Sequence, residues 1–399
     1  MKLLLVVDDY LPRSIKVAAR MMHDLALELK SQGHQVSVCT PDDSLNESYT
    51  IDDFEGIQVL RFKSGSIKNV SKVKRAINET LLSFRAWKSL KDHFRRNNFD
   101  IIIYYSPTIF FGFLVNKLKK LWNARSYLVL RDIFPQWVVD NGLMSNKSPI
   151  YLYFKLFEFI NYSAADVIGV QSPSNKIYFQ TNEKFKHKLD VLYNWSSVDK
   201  EKVSPGFYRE KFGLNDKIVF FYGGNIGHAQ DMMNLVRLAE SLESYPDVHF
   251  LFVGRGDEVE MIEKYIIEKG LNKISCLPSV NQNEYQQMLS EFDIGLFSLH
   301  KDHKTHNFPG KLLGYMKHSM PILGSVNKNN DLQTMINDAC AGFVSENGDD
   351  ELLANNAIQL IKSIKLRRKM GDNAYKLLNY NFSVSSAVHK LIEGKLSAK

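Results

Sequence analysis

Short apolar runs alternate with segments of helical periodicity along this chain, and the alternation happens twice. The first round opens with Leu3 to Val7, an amphipathic stretch from Ile15 to Ser31 that Gly33 stops, and a second apolar run from Gln35 to Thr40. Ile57 to Phe62, Asp100 to Tyr105, Ser126 to Arg131, Val167 to Val170 and Leu189 to Leu192 continue it, with helical patterns between most of them. The pattern breaks between Asn194 and Gly213, where Ser204-Pro205-Gly206 marks a linker. A second round follows at Ile218 to Tyr222, His249 to Val253, Ile274 to Leu277, Asp293 to Ser298 and Gly342 to Val344, with helices from about Gln230 and Asp257 and two helical segments at the end. Such alternation implies parallel sheets with helices on both faces. A chain of 399 residues suits two domains, each large enough to bury a core. The expectation is α/β, with two Rossmann-like doubly wound domains at 1–198 and 199–380, a final segment at 381–399, and ligand loops at the strand C-terminal ends facing a shared crevice.

Several classes drop out on composition and charge. Cys39, Cys276 and Cys340 are scattered with no CxxC pair, which predicts a reducing, cytoplasmic setting. Met1 to Val7 is too short for a signal peptide, and the longest apolar stretch, Ile101 to Val115, is too short to span a bilayer. The net charge of +7 lies wholly in the first half: residues 1 to 200 carry 28 Lys and Arg against 20 Asp and Glu, the rest 23 against 24. Arg61 to Arg96 alone holds 11 basic residues with only Glu79 and Asp92, as one long helix or two. A solvated face explains such a run, and so does docking on an anionic membrane, with Ile77, Leu81, Leu82, Phe84, Trp87, Leu90 and Phe94 at helical spacing facing core or lipid. The aromatic helix Ile150 to Ile160, with Glu158, reads first as core, and second as a lipid contact shared with Trp122, Lys117, Lys119 and Lys120. No nucleic-acid module is recognisable, so no nucleic-acid partner is expected.

The candidate chemistry centres on Lys304 to Ser325, read as strand, polar loop and helix start. Pro309 fixes φ where its missing N–H costs nothing, Gly310 removes a side chain, and Lys311 puts a cation in the first turn. That combination suits a phosphate. It is not a Walker A loop, because position 305 is Thr and Leu312 follows the Lys. Two glycine-rich strand-to-helix turns accompany it: Gly223-Gly224-Asn225-Ile226-Gly227 with Gln230, and Gly254-Arg255-Gly256. The second lacks the third Gly of a dinucleotide fingerprint, which disfavours a nicotinamide cofactor. No carboxylate cluster suits a metal, so neither metal nor cofactor is expected.

Taken together and in this order, with Asp293-Ile294-Gly295-Leu296-Phe297, these loops resemble the donor domain of GT-B glycosyltransferases of family 4. Gly224 to Gln230 and Asn307 to Asn327 are similar to bacterial O-antigen and capsule enzymes that transfer N-acetyl-L-fucosamine. The resemblance covers nearly the full length, including Asn381-Phe382-Ser383 and a last helix that crosses back to the first domain. It implies transfer from a UDP-sugar to a hydroxyl of an undecaprenyl-diphosphate-linked amino sugar, without a metal, at the inner face of the cytoplasmic membrane. It assigns donor binding to Gly223, Gly224, Asn225, Gly227, Gln230, Gly254, Arg255, Phe308, Pro309, Gly310 and Gly314, and diphosphate stabilisation above all to Lys311. Two family Glu, eight residues apart, are replaced here by His306 and Gly314, and His306 stays a candidate sugar contact. Arg131-Asp132-Ile133-Phe134-Pro135 resembles the acceptor-side segment, with Asp132 the candidate to touch the donor sugar or assist the acceptor hydroxyl. Asp9, Pro12 and Arg13 follow the first strand on the same side. Rival readings are a UDP-sugar epimerase on the same architecture and an inactive nucleotide-sugar-binding scaffold.

Overall fold

The computed structural model describes every residue except 15, 68–69, 141, 181–182, 200–205, 303–307 and 395–399. The chain forms two compact units, residues 1–196 with the chain from Val384 onward, and Ser197–Ser383.

Eight strands make the first unit's sheet: β1 (Lys2–Val6), β2 (Gln35–Asp42), β3 (Tyr49–Phe54), β4 (Ile57–Lys63), β5 (Ile101–Ser106), β6 (Arg125–Leu130), β7 (Val167–Val170) and β8 (Leu189–Val191). Their spatial order is β3-β4-β2-β1-β5-β6-β7-β8, parallel except for the β3–β4 hairpin. Successive residues of a strand point to opposite faces. Leu4, Val6, Ile102, Tyr104 and Leu128 therefore pack against the helices Leu82–Arg96, Gly112–Trp122 and Pro149–Ala164, while Leu3, Leu5, Ile103 and Val129 meet the helix Val17–Ser31. The last helix, Val384–Glu393, closes that second face with Val384, Ala387, Val388 and Leu391.

Strand β3 differs from expectation, since the sequence reading places no strand between Thr40 and Ile57. It alternates exposed and half-buried residues and presents no apolar run. The signal that marks it is the two-residue turn Glu55-Gly56, both at positive φ (52° and 75°), which suits a tight hairpin. The basic run beginning at Arg61 also divides. Arg61 itself is a buried strand residue held by Asp52 and the Leu11 carbonyl, and two helices follow, Lys72–Thr80 and Leu82–Arg96.

The second unit holds six parallel strands, β9 (Ile218–Asn225), β10 (Val248–Arg255), β11 (Ile274–Pro278), β12 (Ile294–Ser298), β13 (Ile322–Val326) and β14 (Gly342–Glu346). Their order is β11-β10-β9-β12-β13-β14. The direction of winding reverses between β9 and β12, as it does between β1 and β5 in the first unit. Ligands of doubly wound sheets bind beyond the strand C-terminal ends at such reversals. No helix among the described residues is long and apolar enough to cross a membrane.

Candidate functional site

Past the reversal in the second unit, the chain leaves β12 and returns at Phe308 to start the helix Lys311–Lys317. Two hydrophobic anchors place that start. Phe308 is buried against Phe382, ring centroids 4.6 Å apart, and Tyr315 bonds the Leu296 carbonyl at 3.0 Å. Phe308 is thus a packing anchor within the unit. Lys311 then turns inward, its ammonium 3.4 Å from the centre of the Tyr222 ring. Burial holds its pKa well below the ordinary lysine range. No ion-pair partner lies within reach among the described residues. An ammonium out of water without a counter-charge is costly, so the pocket favours either loss of the proton or arrival of an anion.

The glycines around it divide into two kinds. The strand β9 runs on through Gly223, Gly224 and Asn225, which pair with Val253, Gly254 and Arg255 of β10. What reads in sequence as a loose turn is therefore largely sheet. A Cβ on Gly254 would lie 1.9 Å from the Gly224 carbonyl oxygen, one on Gly223 would lie 2.3 Å from the Tyr285 ring, and one on Gly227 would lie 2.5 Å from an Asp257 carboxylate oxygen. These three are small because the chain packs on itself. Gly314 is similar, facing Leu289 at 2.9 Å and Tyr285 at 3.8 Å, where helix meets helix. By contrast, Gly224 has φ +130° and its surface is exposed beside the Lys311 ammonium, and a Cβ on Gly310 would meet nothing within 4 Å. Packing among the described residues does not explain a glycine at 310, which leaves its backbone open to close approach.

Around this centre, Asn225 donates to Gln230 at 2.7 Å, the Tyr222 hydroxyl donates to the Asn225 carbonyl, and the Gly223 amide donates to the Tyr315 hydroxyl at 3.3 Å. Arg255 is exposed at the end of β10, and Pro309 is half-buried beside Gly310. His306 lies outside the described residues. Sequence reasoning missed Tyr222, Tyr285 and Tyr315, which surround Gly223 and Lys311, and the tilted ring pair His228 and His300, ring centres 4.7 Å apart beside the glycine strand end. An aromatic just before Gly-Gly was the available signal for Tyr222.

At the reversal of the first unit, Arg131 leaves β6 and donates to the carbonyls of Leu192 at 2.9 Å and Tyr193 at 3.2 Å, with its guanidinium 5.4 Å from the Trp195 ring centre. Burial pushes its pKa down to about 10. It ties β6 to the chain after β8 and has little left to offer a ligand. Asp132 beside it reaches solvent, and burial raises its pKa while Arg131 pulls it back. Asp9 is paired with Lys16 at 3.2 Å, and Arg13 is paired with Asp42 and donates to Ser44 at 3.1 Å. Pro12 follows a cis peptide in the same loop. Asp8, half-buried at the end of β1, has its pKa raised by burial, and it and Asp132 both push the Tyr105 pKa upward. Among the described residues no three His, Cys, Asp or Glu side chains converge as a metal site requires.

A family model described as Glycosyltransferase Family 4 matches residues 18–200, and one described as Glycosyl transferases group 1 matches residues 206–377. The chain is a glycosyltransferase. The probable glycosyltransferase WbjE of Pseudomonas aeruginosa is 24% identical to this glycosyltransferase over 269 residues, 66% of each chain and so just under two thirds of WbjE. The putative colanic acid biosynthesis glycosyl transferase WcaI of Escherichia coli K12 is 24% identical over 328 residues, 78% of this chain and 80% of WcaI. The crystal structure of Anabaena HepE in complex with UDP aligns over the whole of both chains at a TM-score of 0.68 and 17% identity. That likeness bears on the fold, which is GT-B, with its last helix returning to the first unit.

Proposed function

We propose that this glycosyltransferase moves N-acetyl-L-fucosamine from UDP to an amino sugar carried on undecaprenyl diphosphate, in the assembly of a cell-surface polysaccharide. The observation that carries the reaction type is the Lys311 ammonium, set between Tyr222 and the exposed backbone of Gly224 with no carboxylate partner among the described residues. Breaking the bond between sugar and UDP builds negative charge on the leaving diphosphate. A fixed cation in a water-poor pocket stabilises that charge more than it stabilises the ground state. Diphosphate arrival supplies the missing counter-charge, so binding and departure both draw on one side chain.

The names of WcaI and WbjE favour a polysaccharide setting, and the UDP bound by HepE favours a uridine nucleotide. The donor sugar rests on the motif likeness at Gly224 to Gln230 and Asn307 to Asn327. Asp132, whose pKa burial raises, is assigned to the acceptor hydroxyl, and His306 to the donor sugar by its place in the motif. The reaction is proposed to need no metal, and the enzyme to work at the inner face of the cytoplasmic membrane, in contact with anionic lipid.

The deciding experiment is UDP release by purified protein across a panel of UDP-sugars, with and without undecaprenyl-diphosphate-linked N-acetylhexosamine and with EDTA present. Acceptor-dependent release from UDP-N-acetyl-L-fucosamine alone is the expected result. UDP binding with silence across the panel would turn the reading toward an inactive scaffold. Interconversion of UDP-sugars without release would turn it toward an epimerase.

A further inference from the structure

The helix Pro149–Ala164 is built inside out. A helix lying on a sheet normally turns its apolar stripe inward and its polar residues to water. Here the fully enclosed residues are Glu158, Asn161, Tyr162 and Ala164, two of them strongly polar. Leu152, Leu156 and Phe159, spaced by four and three residues so that they share one face, stand 61%, 56% and 43% exposed. The helix's own charges do not soften that face, because Lys155 and Glu158 pair with each other beside Tyr178.

The apolar surface continues onto its neighbours. The exposed Phe113, on the helix Gly112–Trp122, lies 6.0 Å from Phe157 between ring centres, and the Tyr153 hydroxyl bonds Thr80 at the end of the helix Lys72–Thr80. Next to it, Leu82–Arg96 exposes Phe84. The residues that sequence reasoning offered to lipid divide here. Leu82, Leu90 and Phe94 are core, Trp122 bonds the Phe94 carbonyl, and Lys119 is tied to Asp166. Phe84 stays exposed, as do Leu152 and Leu156 of the helix that sequence read first as core, and Phe113 joins them.

Charge identifies what covers this surface. The four helices carry twelve Lys and Arg against Glu79, Asp92 and Glu158, and all three acids are already paired, with Arg75, Arg95 and Lys155. Lys88, Lys91, Lys117 and Lys120 are exposed on it. A second copy of the same face would bring like charges together, which opposes self-association. An anionic bilayer satisfies both halves: large apolar side chains enter the boundary between headgroups and acyl chains, and lysines reach the phosphates around them.

We propose that the outer face of the helices Lys72–Thr80, Leu82–Arg96, Gly112–Trp122 and Pro149–Ala164 docks on an anionic lipid bilayer, with Leu152, Leu156, Phe84 and Phe113 entering it. This deepens the membrane part of the proposed function and rests on that reading for its purpose. Its test needs neither donor nor acceptor. The full chain is sedimented with vesicles of phosphatidylcholine alone and of phosphatidylcholine with equimolar phosphatidylglycerol. Binding is expected only to the second, weakening with salt. The double variants Leu152→Gln with Leu156→Gln, and Lys88→Glu with Lys91→Glu, should each lower binding about tenfold or more, with melting temperature and UDP affinity unchanged. Equal binding by the folded variants would overturn the proposal. So would a dimer in solution that the leucine variant dissolves, because the face would then be occupied by protein. Intact vesicle binding in a protein that transfers no sugar would leave the docking face standing and remove the enzymatic reading instead.

Discussion

The cations Arg61 and Arg131 of the first unit and Lys311 of the second are treated in opposite ways. In the first, Arg61 is held by Asp52 and a carbonyl, and Arg131 by two carbonyls, while the loop after β1 is braced by Arg13 to Asp42 and Lys16 to Asp9. In the second, Lys311 is placed as carefully, by Phe308 and Tyr315, yet among the described residues it meets an aromatic face and no acceptor. A cation tied to the chain's own carbonyls and carboxylates is part of the architecture. One positioned by the fold and left without an acceptor is a cost the fold carries for a ligand.

The sharpest way to break that contrast is to remove both cations and compare. Lys311→Met should lower kcat/KM for transfer by about a hundredfold or more, the scale for losing a preorganised donor to developing charge, and leave the melting temperature unchanged or higher. Undiminished turnover in this variant would sink the central role given to Lys311. Arg131→Met should do the reverse. It strands the Leu192 and Tyr193 carbonyls and is expected to cost about 2 kcal/mol of stability, measured by urea unfolding.

Titration separates the two cations next. Because the folded pKa of Lys311 is depressed, the unfolded chain binds more protons between that value and the ordinary lysine value. Stability of the free protein should therefore rise with pH across that window. UDP restores the charged form, so calorimetry in buffers of different ionisation enthalpy should show proton uptake on UDP binding there. The uptake should vanish in Lys311→Met, and its persistence would assign it elsewhere. The smallest contrast concerns glycines. Gly254→Ala must displace the Gly224 carbonyl and should destabilise the fold. Gly310→Ala should change stability by no more than about 0.5 kcal/mol and weaken UDP binding a few-fold. Equal UDP affinity would mean that no ligand approaches there.

Much of this was legible before any coordinates, for a specific reason. Parallel strands buried on both faces read as unbroken apolar runs, so Val167 to Val170 and its like stand out. β3 has one wet face and a weak pattern, and only its Glu-Gly turn betrays it. Glycine in a sequence does not say whether a ligand or the chain's own backbone comes close, so Gly254 and Gly314 read like Gly224 and Gly310. Periodicity likewise finds a face without saying what it faces. The helix Pro149–Ala164 is apolar enough to be core, and only its packing shows that Glu158 points in and Leu156 points out.

The helix Val384–Glu393, which seals one face of the first sheet, has a consequence for synthesis. The strands and helix it covers emerge from the ribosome before the second unit, but Val388 and Leu391 are made only after the whole of that unit. Until they arrive, the apolar groove beside Leu25, Ala26 and Leu29 stays open in the nascent chain. The first half of the protein is thus committed to waiting for the second, and a message truncated after Ser383 would release a chain with an unsealed core, fit for a chaperone or a protease.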